Sequence, residues 1–166
     1  MVTKSIRLAF IFQAFLVLIL NNYSIAQSAY SKQGFYNAMS SSDLKEIDQQ
    51  LKEAEKASGA DKQAIIGTLT MKKAGLVSGP GKKLRTFKAG HKDLEASISQ
   101  NKDNAEYRFM RLMIQENAPG ILGYKGEIET DSDYIRKSFK NLPGTVQKAI
   151  IQYAKNSKVL SEKDFN

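Results

Sequence analysis

The most informative segment of this sequence is Leu84–Pro119, which reads LRTFKAGHKDLEASISQNKDNAEYRFMRLMIQENAP. Its first half places apolar side chains three and four residues apart, as on one face of an α-helix, at Leu84, Phe87, Leu94 and Ile98, with His91 at the middle step. The polar stretch 99–104 interrupts this pattern, and a second helix is expected from about Ala105 until Pro119 stops it. Because two helices joined by a short turn bury their facing sides together, the segment predicts an antiparallel helical pair at the centre of a helical domain.

Helical spacing recurs on both sides of this segment. Further helices are expected near residues 33–39, 44–57, 61–76, 131–139 and 146–153, and no run alternates as a strand would. Asp43 and, later, Asp131 are placed to cap helix N-termini, and the acidic residues around Asp131 (Glu127, Glu129 and Asp133) are expected in a solvated loop. The prediction is an all-α fold of about six short helices, as an irregular bundle or a solenoid.

The N-terminus has the pattern of a cleavable export signal. Lys4 and Arg7 precede an apolar run from Leu8 to Leu20, and Ser24-Ile25-Ala26 supplies the small residues that a signal peptidase reads. A membrane anchor is the alternative, but thirteen helical residues span only about 20 Å of the roughly 30 Å hydrocarbon core. The predicted organisation is a signal peptide over residues 1–26, a polar lead-in over 27–41 and a single helical domain over 42–166. The mature form is expected to be periplasmic or secreted, with no transmembrane anchor.

The amino-acid composition excludes several kinds of functional site and favours one kind of partner. The chain has no cysteine, which excludes disulfides, thiolate metal sites and cysteine nucleophiles. Loss of Lys4 and Arg7 with the signal leaves 23 of the 25 basic residues against 17 acidic ones, a net charge of +6. That charge favours anionic partners, although nucleic acid is not expected outside the cytoplasm. His91 is the only histidine, and no catalytic, metal-binding or cofactor-binding constellation is recognisable, so a non-enzymatic role is expected.

Two groups of residues are candidate sites. Arg108, Arg111 and Gln115 share one helix face and, with Tyr124 nearby, could hold a peptide or a carboxylate. The same arginines could instead pair with the acidic residues at 127–133 and fix that segment to the core. The alternative site is the basic cluster of residues 72–92, which contains no acidic residue and is represented by Lys82, Lys83, Arg85 and Lys88. It could bind an anion or remain a solvated surface.

The pattern at Ala89–Leu112 resembles a tetratricopeptide-type repeat boundary, with small residues at Gly90 and Ser97 and an apolar one at Leu94 before an Asn/Asp turn. No second copy recurs at the spacing of about 34 residues that a regular array requires. The wider segment Ala89–Asp131 resembles a group of small exported bacterial helical proteins of unknown function. In these, N-A-E-Y-R-F-M-R-L-x-I-Q-E-N-A-P, here Asn104–Pro119, precedes L-G-Y and an Asp. The resemblance implies tetratricopeptide-like helix packing and no particular activity.

These observations predict a protein- or peptide-binding module at the bacterial envelope. The partner is expected to be another envelope or secreted protein, bound on a concave face. The second hypothesis is electrostatic attachment to an anionic envelope component, a lipid headgroup or a polymer, through the basic cluster.

Overall fold

A computed structural model describes residues 30–165, so the predicted signal peptide lies outside the described residues. Within residues 30–165 the chain forms seven α-helices and no β-strand, which confirms the predicted all-α class. The helices are α1 (Lys32–Ser40), α2 (Leu44–Lys56), α3 (Lys62–Leu76), α4 (Pro80–Gln100), α5 (Ala105–Asn117), α6 (Ile128–Ser138) and α7 (Gly144–Ala154). Short 3-10 turns, Gly120–Leu122, Phe139–Asn141 and Glu162–Phe165, follow α5, α6 and α7.

The first helix lies within the predicted polar lead-in but belongs to the same core as the later helices. Phe35, Tyr36, Ala38 and Met39 on α1 are all buried. The helix also contacts α2, α3 and α7, so the first and last described helices meet. In a solenoid each repeat contacts only its sequence neighbours, so the contact of α1 with α7 favours the bundle alternative over the solenoid.

The closest helix packing is between α3 and α4, and not between the predicted pair α4 and α5. A Cβ atom added at Gly90 would lie 2.4 Å from the carbonyl oxygen of Gly67 and 2.8 Å from the amide nitrogen of Met71. A Cβ at Gly67 would lie 2.7 Å from the amide nitrogen of Leu94. Two glycines facing each other therefore let the two backbones approach more closely than side chains would permit.

Helix α4 begins earlier than the apolar spacing predicted. Its first residue is Pro80, four residues before Leu84, at which the apolar pattern begins. Proline is well suited to the first position of a helix, because a backbone N–H there would have no intrahelical acceptor and proline lacks that N–H. Gly79, with φ +85°, supplies the turn that precedes it. Leu84 therefore lies on a partly exposed face of α4, with 42% of its surface exposed. The apolar spacing predicts it on the buried face, which is wrong.

The capping prediction for Asp43 is confirmed, and the one for Asp131 is wrong. The Asp43 Oδ1 atom accepts a hydrogen bond from the backbone N–H of Lys45 at 2.8 Å. Helix α6 starts three residues before Asp131, at Ile128, so the expected acidic loop is largely helical. Asp131 lies in the first helical turn and is fully buried.

Helix α5 is the centre of the molecule. Among its first twelve residues, Ala105–Glu116, all but Arg108 are buried. Its two ends are tied to distant parts of the chain. Near the start, Glu106 accepts hydrogen bonds from Lys32 and Tyr36 of α1. Near the end, Glu116 accepts from the Tyr153 hydroxyl on α7 and from the Ser157 hydroxyl.

Candidate functional site

The predicted binding residues Arg108 and Arg111 form a buried ionic network with Asp131. The Arg111 Nε and Nη2 atoms donate to the two carboxylate oxygens of Asp131 at 2.7 and 2.9 Å, and the Arg108 Nη1 atom donates to Asp131 Oδ1 at 3.0 Å. This is the pairing with residues 127–133 that the sequence left as the structural alternative. Burial opposes the charge on Arg111, but the hydrogen bonds and charge of Asp131, with the charge of Glu95, outweigh it and raise the pKa of Arg111.

Tyr124 joins the same network through Glu95. The Tyr124 hydroxyl donates to Glu95 Oε1 at 2.5 Å, and Arg111 Nη1 donates to Glu95 Oε2 at 2.9 Å. The ring of Tyr124 packs edge-on against Phe87 and His91, with centroid distances of 5.6 and 4.7 Å. Burial and then the Glu95 carboxylate raise the pKa of Tyr124, so the phenol stays protonated as a hydrogen-bond donor.

Gln115 lies next to this network and is fully buried. Its Nε2 atom donates to Glu127 Oε2 at 2.6 Å. The structure therefore brings the four predicted residues to one region, where their polar atoms contact groups of the same chain. The exception is the buried Gln115 Oε1 atom, which has no hydrogen-bond partner among the described residues. A ligand would have to displace Asp131 or Glu95 to reach the arginines. Their role in binding remains a prediction, and the geometry favours a structural role.

The basic cluster is arranged differently. Lys82, Lys83, Arg85 and Lys88 are exposed within the first three turns of α4, and none forms a salt bridge with a described residue. The Lys83 Nζ atom donates to the carbonyl oxygen of Gly75 at 3.2 Å. Lys73 is neutralised by Asp48 at 2.6 Å, so the cluster is only partly free.

A large groove, which the sequence did not predict, lies beside the basic cluster. Its volume is about 1230 Å³, and it forms where the ends of α3 and α5 meet α1, α7 and the start of α4. Apolar side chains form much of its surface: Tyr36, Met39, Leu76, Leu84, Phe87, Met113, Ile114, Ile121 and Leu122. Ile121, at 95% exposure, stands on the rim in the turn after α5.

The polar lining of the groove has a distinct composition. Five carboxamide side chains contribute to it, from Gln33, Asn37, Asn117, Gln152 and Asn156. Its charged lining residues are Lys72, Lys83 and Lys148, and within residues 30–165 no acidic residue or histidine lines it. Of the eight residues predicted for binding, only Lys83 lines the groove. Ile121 was a possible signal, because it is an apolar residue in a glycine-rich stretch without helical spacing.

Comparisons with protein-family models, curated proteins and solved structures found no match to this chain. None of the helices within residues 30–165 has the length and apolar character needed to cross a bilayer. The same described residues contain no group of three or more His, Asp or Glu side chains placed to hold a metal ion.

Proposed function

We propose that this protein is a peptide-binding module, and that its groove takes an extended segment of a partner protein. The observation that carries the proposal is an apolar groove bordered by carboxamide side chains. Pockets for small molecules have volumes of about 300–1,000 Å³, so a groove of about 1230 Å³ suits a longer ligand.

The carboxamides indicate which kind of long ligand fits. Asn and Gln side chains each carry donor and acceptor groups, which match the N–H and C=O groups of an extended peptide. A helix satisfies its own backbone groups, and an acyl chain has none to offer. Gln152 and Asn156 form no side-chain hydrogen bond with a described residue, so their amide groups are free to bind a ligand.

The N-terminal sequence supports a location outside the cytoplasm, with an envelope or secreted protein as the partner. The groove lining supports binding of a peptide, because apolar and amide side chains form much of it. The role is proposed to be that of an adaptor or accessory factor without enzymatic activity.

A groove-filling variant tests the proposal. Ala149 of α7 lines the groove, whereas Ala89 is exposed on α4 outside it. Protein purified after expression of the full 166-residue chain is used to select binders from a random peptide library. Ala149→Trp should weaken binding of the selected peptides at least about tenfold, the equivalent of about 1.4 kcal/mol.

Ala89→Trp is the matched control and should bind as the unmodified protein does. Thermal unfolding verifies that both variants are folded. Equal binding by the two variants, or failure to select any peptide, would contradict the proposal.

The exposed cations support a second candidate function, attachment to an anionic envelope component through Lys82, Lys83, Arg85 and Lys88. Such contacts between exposed charges are screened over roughly 8–10 Å at physiological salt. Binding to vesicles of anionic lipid that disappears at high salt, and that Lys82→Glu with Lys83→Glu abolishes, would favour this function. Binding of a peptide in the groove should persist at high salt because burial of apolar surface is not screened.

A further inference from the structure

The charged side chains that line the groove are all cationic. Lys72, Lys83 and Lys148 come from α3, α4 and α7, respectively, and converge on one cavity from three separate helices. Since none of the described acidic side chains lines the groove, these residues leave its local charge of +3 uncompensated.

Lys72 has the most unusual surroundings of the three. It is half-buried, and its ammonium forms no ion pair or hydrogen bond with a described residue, whereas the adjacent Lys73 contacts Asp48 at 2.6 Å. Burial without a partner lowers the pKa of Lys72, because water is lost and no anion replaces it. A ligand carboxylate next to Lys72 would supply the missing counter-charge in a site already partly removed from water.

Charge complementarity also indicates which of the possible ligands fits the groove. A second copy of this chain would bring its own lysine-lined groove and Ile121 rim against the same charges, and like charges disfavour that contact. The chain's own residues 1–29 contain Lys4 and Arg7 and no acidic residue, so they do not complement the lysines. An acidic segment of another protein does.

We propose that the groove selects acidic peptides: an extended segment in which apolar side chains occupy the floor and a carboxylate pairs with Lys72, supported by Lys83 and Lys148. This inference rests on the proposed peptide-binding function and specifies the chemistry of its ligand.

Two synthetic peptide pools provide the probe. Both contain nine-residue peptides with acetylated and amidated ends and with Leu, Ile, Val or Phe at alternate positions. One pool has Glu at the intervening positions, and the other has the isosteric Gln. Protein purified after expression of the full chain is mixed with both pools in equal amounts, and the retained peptides are quantified by mass spectrometry. The Glu pool should be retained at least about tenfold over the Gln pool, as expected for a hydrogen-bonded charge pair.

Lysine variants show whether that preference arises in the groove. Lys72→Met keeps an unbranched side chain while removing the charge, and it should lose most of the preference. Lys83→Gln should reduce it in part. Lys137→Gln is the matched control, because Lys137 is an exposed lysine of α6 that neither lines the groove nor belongs to either predicted site. A thermal unfolding midpoint for Lys72→Met at or above that of the unmodified protein establishes that the variant is folded.

The outcomes distinguish this inference from the proposed function. Equal retention of the two pools, with both lost in Ala149→Trp, would overturn the acidic preference and leave peptide binding intact. Retention of neither pool would overturn both. An equal loss of preference in Lys137→Gln and Lys72→Met would overturn the groove site, since it would reflect general surface charge. The acidic-peptide assignment would also be overturned if the protein bound vesicles of anionic lipid, or a second copy of itself, and Lys72→Met abolished that binding.

Discussion

At the scale of single residues, Asp131 has the largest predicted effect on stability. Its side chain is fully buried, and it is the counter-charge for Arg108 and Arg111, of which Arg111 is itself buried. Removing one partner leaves the others charged in a medium that solvates them poorly. Asp131→Asn should therefore reduce the free energy of unfolding by about 3–5 kcal/mol, measured by urea denaturation.

Asp133→Asn is the control on the same helix. Asp133 is exposed, and its carboxylate pairs with Arg136 at 2.7 Å in an i,i+3 surface pair. Such pairs contribute at most about 1 kcal/mol, so this variant should unfold close to the unmodified protein. A similar loss in both variants would show that the buried network has no special role.

The sequence predicted which residues could form this network, but not that the network is buried. The three- and four-residue spacing placed Arg108, Arg111 and Gln115 on one face, and Asp131 was among the partners considered for the arginines. The spacing could not show which way that face points, because a polar stripe suits both solvent and a buried ionic partner. Asp131 was therefore predicted as a solvated N-cap, although its carboxylate lies in the interior.

At the scale of elements, the packing of α3 against α4 depends on the absence of a side chain at Gly90. Ala is a better helix former than Gly by about 1 kcal/mol, so Gly90→Ala would be stabilising in an isolated helix. Here the added Cβ would meet backbone atoms of α3 at 2.4 and 2.8 Å, and backbone cannot rotate away as a side chain can. Gly90→Ala should lower the free energy of unfolding by about 1–3 kcal/mol, the range for overpacked sites, in a chemical denaturation series.

The opposite sign is expected for Gly75→Ala on α3. A Cβ atom at Gly75 would have no neighbour within 4 Å, so only the helix preference operates there. This variant should be unchanged or more stable by up to about 1 kcal/mol. If Gly90→Ala were also stabilising, the close approach of the two helices would be contradicted.

The sequence identified most helices, because apolar spacing is a local property. It did not identify their closest pairing. Gly90 was recognised as a small residue in a repeat-like pattern, but nothing in the sequence linked it to Gly67, which lies a full helix and turn away. The predicted pair was instead α4 with α5, since a short polar turn suggested that neighbouring helices would pack together most closely.

At the scale of the whole molecule, the groove belongs to no single segment. Its lining comes from α1, α3, α4, α5, α7 and the turn after α5, so no window of sequence contains its composition. The predicted binding residues were placed on α5 because that helix has the clearest polar stripe. Residues of the groove, such as Leu84 and Met113, look like ordinary core positions until the ends of the helices are arranged in space.

The role of α5 as the central helix leads to a prediction for the whole molecule. Helices α2 and α5 each have 13 residues, but α2 buries only Ile47 and Ala54, whereas α5 buries eleven residues. Because exposing α5 breaks contacts to α1, α6, α7 and the tail together, its amides should exchange with solvent only when the whole molecule unfolds.

Native-state hydrogen exchange should give the amides of Phe109–Ile114 a free energy of opening equal to that of global unfolding. The amides of α2 should open at lower free energy, because few buried contacts hold that helix. Slower exchange in α2 than in α5 would mean that the molecule is organised around a different helix from the one that the packing indicates.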